Sequence, residues 1–363
     1  MTGTEDVIPV AADDPLVNRA GLEPFLRDAL GLGGAEIRID RFRGGNANIS
    51  FLVRSGAQEF VLRRPPAGPL PPKAHDMLRE FRVLEIVHPR FDLAPKPFVS
   101  CDDRAVLDAP FFVMEHRRGV VIRSDERELL ADPGLNRRIG FMLPAVLARF
   151  HAIDSTPLEQ ARMGRPERFA ARQVESWTAR SRAAVPEPDL KLELEKIAAW
   201  LAERVPQPAA TGVLHNDFKL DNIVVSEVDL AEPAALLDWD MCTVADQLFD
   251  LGLLLSYWVH DDDPQEWRLG ASMPTFMPGF PRRQDVVETY AKLRGADTSQ
   301  IQWYVVFANF RIIVALQQIF RRYRTGQNSD PRFAVFGERI AIMTGKTLGM
   351  IGRDTPWQPG ILD

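Results

Sequence analysis

At 363 residues the chain is too long for one small hydrophobic core and suits two lobes or domains. Hydrophobic residues make up 45% and charged residues 26%, as in an ordinary globular protein, and a formal net charge of −6 gives no support for a nucleic-acid or anionic-membrane partner. The chain has only two cysteines, which argues against a disulfide framework, and its first residues lack a signal-peptide pattern. The most apolar stretch, residues 248–259, falls short of the ~20 residues of a membrane span. We therefore predict a cytoplasmic protein.

The first predicted elements are three successive antiparallel strands. Residues 37–42 alternate apolar and polar side chains, as a half-buried strand does. Residues 49–55 and 58–64 follow, and Ser55-Gly56 between them has the composition of a tight turn. These three segments therefore predict a small antiparallel sheet near the start of the chain.

A proline-rich run, RRPPAGPLPP at residues 63–72, follows the third strand. It cannot be a helix interior or a central strand, because proline lacks the backbone donor. We expect a helix near residues 75–88, where apolar side chains recur on one face, and a last strand over APFFVMEH, residues 109–116.

Beyond residue 116 the pattern becomes helical. Two short β-like runs, at residues 222–225 and 234–240, interrupt it. The sequence thus predicts an α+β fold of two lobes with a cleft between them: a small β-rich lobe of residues 1–116 and a larger, mainly helical lobe of residues 117–363. The segments with helical periodicity are residues 136–154, 171–184, 190–205 and 301–324.

The stretch VLHNDFKLDNIVV, residues 213–225, carries more polar side chains than a stable turn needs. Asn222 offers a side-chain oxygen, and Asp238, sixteen residues later, offers another; a hairpin between them would bring the two side by side to hold Mg²⁺. Asp217 could accept a proton from a substrate hydroxyl while the metal neutralises phosphate charge. Phosphoryl transfer requires this division of labour, because its catalysis is mostly positioning and electrostatics.

The small lobe should then supply a phosphate clamp. The loop RGGNAN between the first two predicted strands is flexible enough for backbone amides near Gly44, Gly45 and Asn46 to approach a phosphate. Arg63 lies in the third predicted strand, and Glu80 in the following helix could orient its guanidinium.

Three motifs carry a family resemblance. HNDFKLDN fits the H-x-D-x-x-x-x-N loop of protein kinases, and with the later LLDWD it looks more like the aminoglycoside phosphotransferase and choline kinase branch. FVLRRPPAGPLPPKAHDMLREFRVL is similar to the kinase-like region of acyl-CoA dehydrogenase family members ten and eleven. The likeness runs from about Phe42 to residue 330. It implies a protein-kinase-like fold that binds ATP and Mg²⁺ and phosphorylates a small-molecule hydroxyl.

The resemblance also implies a role for each matching position. Arg63, paired with Glu80, would contact the α- and β-phosphates, although most kinases have lysine there. Asp250 would brace the catalytic loop from a later helix. The remaining implied roles are Asp217 as the catalytic base, Asn222 and Asp238 as Mg²⁺ ligands, Lys219 at the γ-phosphate, and the backbone of Glu115 and His116 as the adenine-binding hinge.

Several alternatives stay open in the sequence. The acceptor is a hydroxyacyl-CoA or hydroxy acid by the nearer resemblance, and an aminoglycoside by the broader one. A pseudokinase that regulates a partner is less consistent with the intact motif, and a metal-dependent hydrolase would need more metal ligands than the sequence offers. Asp240 could be a second acid near the metal or a turn former. His215 is expected to pack and hydrogen-bond within the loop, and Asp221 to be a loop-stabilising or solvated carboxylate. The acidic run, residues 260–264, is expected to be a solvated helix end that could attract a cationic substrate.

Overall fold

The computed structural model describes residues 7–11, 14–43, 48–68, 75–124, 126–184, 187–269, 271–327 and 330–352. Its strands are β1 (Val7–Pro9), β2 (Ile37–Phe42), β3 (Ile49–Ser55), β4 (Gln58–Arg64), β5 (Pro97–Cys101), β6 (Phe111–Glu115), β7 (Val120–Val121), β8 (Thr211–Leu214), β9 (Ile223–Val225), β10 (Pro233–Leu236) and β11 (Thr243–Asp246). Its helices are α1 (Arg19–Leu30), α2 (Met77–Val87), α3 (Pro133–His151), α4 (Thr156–Gln160), α5 (Phe169–Ala184), α6 (Pro188–Glu203), α7 (Leu248–Tyr257), α8 (Gln265–Leu269), α9 (Arg283–Arg294), α10 (Ile301–Arg324) and α11 (Phe336–Ile351).

The chain divides into two compact units. The first unit comprises Met1–Val120 and Ile223–Cys242, and the second comprises Val121–Asn222 and Thr243–Asp363. The hairpin of β9 and β10 thus belongs to the first unit, although four helices of the second unit precede it in the chain.

The first unit is built on an antiparallel sheet with the strand order β1-β2-β3-β4-β6-β5. The three successive strands predicted from the sequence are confirmed as β2, β3 and β4, and the predicted last strand as β6. The prediction missed the outer strands β1 and β5 and the helix α1. β1 is three residues long and β5 begins with a proline, so neither shows clear alternation.

One face of this sheet carries an apolar cluster. Phe51 and Val53 of β3 and Phe60 and Leu62 of β4 are buried in one apolar cluster, which also contains residues of α1. Because successive side chains of a strand point to opposite faces, Arg63 lies on the other face of the sheet. Both faces of the sheet are therefore buried, and Arg63 belongs to the face opposite this cluster.

Helix α10 is the centre of the second unit. It packs against α5, α6, α7 and α11, and its aromatic residues meet Phe249 of α7, whose ring centroid lies 5.1 Å from Tyr304 and 5.2 Å from Phe307. By length and composition α10 could cross a membrane, but 67% of its most apolar window is buried inside the protein. Its apolarity is that of a core helix.

Substituting Gly252 of α7 should destabilise the second unit. A Cβ at this position would lie 2.6–2.8 Å from Tyr304 atoms, including its backbone, so Gly252→Ala should lower the free energy of unfolding by about 1–3 kcal/mol. Gly345 of α11 has no neighbour within 4 Å of such a Cβ among the described residues, so Gly345→Ala should be neutral or stabilising by up to about 1 kcal/mol. Urea denaturation of the two variants checks this difference in sign, and equal effects would contradict the tight α7–α10 contact.

Candidate active site

Three of the predicted residues come together in the first unit around Arg63. Its Nε lies 3.1 Å from Oε2 of Glu80 on α2, and its Nη2 donates to Oδ1 of Asp238, just after β10. Arg63 and Glu80 are 8% and 1% exposed. Burial opposes the charge on Arg63, but the carboxylates of Glu80, Asp238 and Asp240 outweigh it and raise the pKa of the guanidinium. Arg63 therefore keeps its charge in this buried position.

Helix α2 also holds the segment that follows Asp238. The backbone N–H of Trp239 donates to Oε1 of Glu80 at 3.3 Å. Arg79, the preceding helix residue, donates to the carbonyl oxygen of Asp240 at 2.7 Å and to that of Cys242. Asp238 itself adopts a left-handed backbone with φ of 69° and keeps 26% of its side chain exposed. The metal-ligand candidate is thus an accessible carboxylate on a fixed backbone.

The predicted hinge residues lie at the end of β6. The amide of Glu115 donates to the carbonyl oxygen of Lys96 at 2.8 Å, and its carboxylate lies 2.8 Å from Nε of Arg117. Nδ1 of His116 is 3.0 Å from Oε2 of Glu59. The Glu115 amide is therefore used inside the sheet, so an adenine contact at this residue would use its carbonyl oxygen. Gly44, Gly45 and Asn46, predicted to approach a phosphate, lie outside the described residues.

In the second unit, Asp217, Lys219 and Asn222 come together in the polar loop (residues 215–222) that follows β8. Nδ2 of Asn222 donates to the backbone oxygen of Asp217 at 2.8 Å and to its Oδ2 at 3.0 Å. Nζ of Lys219 lies 3.1 Å from the same Oδ2. Because Asn222 uses its nitrogen toward Asp217, its side-chain oxygen is the atom that can bind a cation.

The charges in the polar loop are set by burial and by each other. Burial opposes the ammonium of Lys219, but Asp217 and Asp221 outweigh it and raise its pKa, so Lys219 stays protonated. Burial raises the pKa of Asp221, whose Oδ2 is 3.8 Å from Lys219 Nζ. Asp217 thus faces a cation and an amide donor, which together fix the orientation of its carboxylate.

Asp250 of α7 braces this loop, as the sequence predicts. Its Oδ2 accepts the backbone N–H of His215 at 2.7 Å, and its Oδ1 accepts that of Asn216 at 2.6 Å. Nε2 of His151 lies 3.1 Å from Oδ2, and burial lowers the pKa of this imidazole. His215 is fully buried, with its ring 6.4 Å from that of Phe218, so it stabilises the loop as expected.

The acidic run is not simply a solvated helix end. Asp263 is buried at 7% exposure and forms an ion pair with Arg283, which is itself 1% exposed. Asp262 lies 2.7 Å from Arg282 and 2.6 Å from His260. The expectation of solvation is therefore wrong for Asp263, because a buried arginine on α9 requires a carboxylate partner.

Comparison with known proteins identifies the family. The model of the phosphotransferase enzyme family matches residues 38–294, which is more than half of the chain. The chain belongs to the phosphotransferase enzyme family. Human acyl-CoA dehydrogenase family member 11 is 29% identical to the present chain, and the alignment covers 93% of the present chain. This match confirms the resemblance carried by the proline-rich run. The chain spans 44% of the length of that relative.

Solved structures confirm the kinase-like α+β fold. A candidate aminoglycoside phosphotransferase from Ralstonia eutropha is 24% identical, covers 91% of this chain and 96% of its own, and gives a TM-score of 0.76. A thermostable mutant of aminoglycoside phosphotransferase APH(4)-Ia, in a ternary complex with AMP-PNP and hygromycin B, is 12% identical, covers 92% of this chain and 100% of its own, and gives a TM-score of 0.59.

The sequence did not single out three residues that contact the candidate site or the segments around it. Arg79 binds the segment after Asp238, and Arg311 of α10 binds Asn216. The ring of Tyr257 lies 5.8 Å from Lys219 Nζ; burial raises its pKa to about 12, with a further contribution from the charge of Asp217. Arg311 did carry a signal, because it is the single charged residue between Ile301 and Phe320.

Proposed function

We propose that this protein is an ATP- and Mg²⁺-dependent kinase that transfers the γ-phosphoryl group to a hydroxyl of a small molecule. The observation that carries the proposal is the cluster of Asp217, Lys219 and Asn222, in which one carboxylate oxygen is held at 3.1 Å by an ammonium and at 3.0 Å by an amide.

Both cysteines are buried free thiols, so a reducing compartment such as the cytoplasm suits the protein.

Asp217 acts as the general base in this scheme. Its Oδ2 is occupied by Lys219 and Asn222, which leaves Oδ1 to accept the proton of the acceptor hydroxyl. The acceptor oxygen then forms a bond to the γ-phosphorus while the bond to the β–γ bridging oxygen breaks, and ADP leaves. Lys219, protonated at all physiological pH values, stabilises the charge on the transferred group.

The oxygen donors expected for Mg²⁺ fit a hard cation. Asn222 presents an amide oxygen because its nitrogen bonds Asp217, and Asp238 presents a carboxylate that is 26% exposed. When bound there, the metal neutralises phosphate charge. Asp240 contributes negative charge near Arg63 and remains a candidate for a supporting role.

On the nucleotide side we assign Arg63 to the α- and β-phosphates, with Glu80 fixing its orientation from 3.1 Å. The adenine would bind backbone atoms of Glu115 and His116, and backbone amides at Gly44, Gly45 and Asn46 would approach phosphate oxygens. The AMP-PNP complex of the structural relative supports a nucleoside triphosphate as the donor.

For the acceptor we favour a hydroxyacyl-CoA or a hydroxy acid. The names of the relatives associate this region with acyl-CoA dehydrogenases, although the chain spans less than half of their length. Of the acidic run, only Asp263 is removed from a cationic acceptor by burial against Arg283, so the run does not decide between the two acceptor classes. Aminoglycosides remain the second candidate, since the APH(4)-Ia complex contains hygromycin B.

A panel of acceptors assayed by ADP release tests the acceptor class. We expect faster Mg²⁺-dependent ADP release with hydroxyacyl-CoA or hydroxy-acid compounds than with kanamycin or hygromycin B. Deoxy analogues of each active compound are the control, because they lack the attacking oxygen. Turnover of an aminoglycoside alone would overturn the acceptor while leaving the kinase assignment intact, and Mg²⁺-dependent ATP binding without any turnover would favour a pseudokinase.

A further inference from the structure

The residue before the proposed base has an unusual backbone. Asn216 is left-handed, with φ of 65°. A residue with a side chain rarely adopts this conformation, although asparagine tolerates it better than most. The peptide on each side of Asn216 therefore needs an external partner to keep it in place.

Asp250 fixes only one of these two peptides. It accepts the amide of Asn216 at 2.6 Å, and this amide belongs to the peptide that links His215 to Asn216. The next peptide, which links Asn216 to the proposed base Asp217, contributes the carbonyl oxygen of Asn216. The orientation of Asp217 depends directly on this second peptide plane.

Arg311 of α10 binds that second peptide. Its Nη2 donates to the backbone oxygen of Asn216 at 2.6 Å, and its Nη1 donates to the side-chain Oδ1 of Asn216 at 2.5 Å. A single guanidinium therefore fixes both the carbonyl and the side chain of one residue. Its planar set of N–H donors is better suited to two simultaneous hydrogen bonds than the ammonium of a lysine. Among the described residues, the hydrogen bonds of the Arg311 guanidinium are these two, and both go to Asn216.

We infer that Arg311 is a positioning residue that sets the orientation of Asp217 through Asn216. This inference rests on the proposed function, because it assigns Asp217 as the base. Asp250 and Arg311 hold the two peptides of Asn216 from two different helices, α7 and α10, which themselves pack against each other. The carboxylate of Asp217 is thereby fixed before an acceptor binds, which lowers the cost of reaching a reactive geometry.

Steady-state kinetics of Arg311→Met and Arg311→Lys test this role. Arg311→Met should lower kcat on the order of 10–100-fold while the KM for MgATP stays near the wild-type value. Arg311→Lys should have a rate between those of Arg311→Met and the wild type, because lysine keeps the positive charge but cannot form both hydrogen bonds to Asn216. Full activity of the lysine variant would show that charge alone matters and would overturn the positioning role.

A double-mutant cycle with Asp217→Asn separates positioning from general stability. If Arg311 acts through the base, Arg311→Met should reduce the residual rate of Asp217→Asn by less than about threefold. An equal reduction in both backgrounds would indicate a merely structural effect. Arg172→Met is the control, because Arg172 of α5 also donates to a backbone oxygen, that of Arg165, which does not belong to the polar loop.

Hydrogen exchange gives a readout that does not require turnover. In Arg311→Met the amides of Asn216 and Asp217 should exchange on the order of 10-fold faster, whereas amides of α7 should be unchanged. Unchanged exchange in the polar loop would overturn the inference. Absence of turnover in the wild-type protein with every acceptor would instead count against the proposed function, and the exchange result would still decide whether Arg311 orders the loop.

Discussion

Replacing Asp217 with asparagine should reduce kcat for phosphoryl transfer on the order of 10²–10⁴-fold, the usual contribution of a positioned proton acceptor. Asparagine is nearly isosteric and can still contact Lys219, so the polar loop should keep its shape. The affinity for MgATP should remain close to that of the wild type, because the residues assigned to the adenine and to the α- and β-phosphates belong to the first unit. ADP release with the best acceptor measures the change in kcat, and a separate nucleotide titration measures the affinity for MgATP.

Asp221→Asn is the matched control for that variant. Asp221 belongs to the same loop and its Oδ2 lies 3.8 Å from Lys219 Nζ, but no catalytic role is assigned to it. Its loss should change kcat by less than about 10-fold, as for a weak ion pair at this distance. If Asp217→Asn retained near-normal turnover while Asp221→Asn lost it, Asp221 would be the base and the proposed assignment would be wrong.

The elements that the sequence predicted are those with a strong local pattern. β2 alternates in hydrophobicity, β3 and β4 each contain a short apolar run flanked by polar residues, and α10 shows helical periodicity over its full length, Ile301–Arg324. Such patterns depend only on neighbouring residues. The three-residue β1 has too few positions for any pattern to appear, and α1 contains Pro24 within its span.

The candidate site was predicted less completely, because several of its contacts join distant parts of the chain. The motif HNDFKLDN identified Asp217, Lys219 and Asn222 through spacing that one loop imposes. Arg311, however, contacts Asn216 across 95 positions, and no local pattern predicts that pairing. A lone arginine in an apolar helix shows that a polar partner must exist without showing which one.

The assignment of residues 223–242 to the first unit also depends on contacts between distant parts of the chain, so the sequence did not predict it. Chain order places this hairpin after four helices of the second unit, yet the backbone N–H of Leu236 donates to the carbonyl oxygen of Leu93 at 2.8 Å, and Trp239 packs its ring 6.3 Å from that of Phe91. Periodicity identifies a strand but does not specify which other element it joins.

Replacing Asp238 with alanine should abolish most of the Mg²⁺ dependence of ATP binding. A carboxylate is the strongest ligand proposed for the cation, so its loss should weaken binding in the presence of Mg²⁺ more than Asn222→Ala does, because an amide oxygen carries no formal charge. Without Mg²⁺ the variant should bind ATP as well as the wild type or better. The reason is that the substitution removes a negative charge beside Arg63, which keeps its second partner Glu80 at 3.1 Å.

Titration of ATP with Mg²⁺ and with EDTA distinguishes this metal role from a purely structural one. A structural defect would weaken binding under both conditions and lower the unfolding temperature, whereas loss of a metal ligand affects only the titration with Mg²⁺. Asp102→Ala is the control, because Asp102 is an exposed aspartate of the same unit. Equal Mg²⁺-dependent binding by the wild type, Asp238→Ala and Asn222→Ala would exclude both residues as ligands. Because none of these titrations involves an acceptor, that result would leave the assignment of Asp217 as the base untouched.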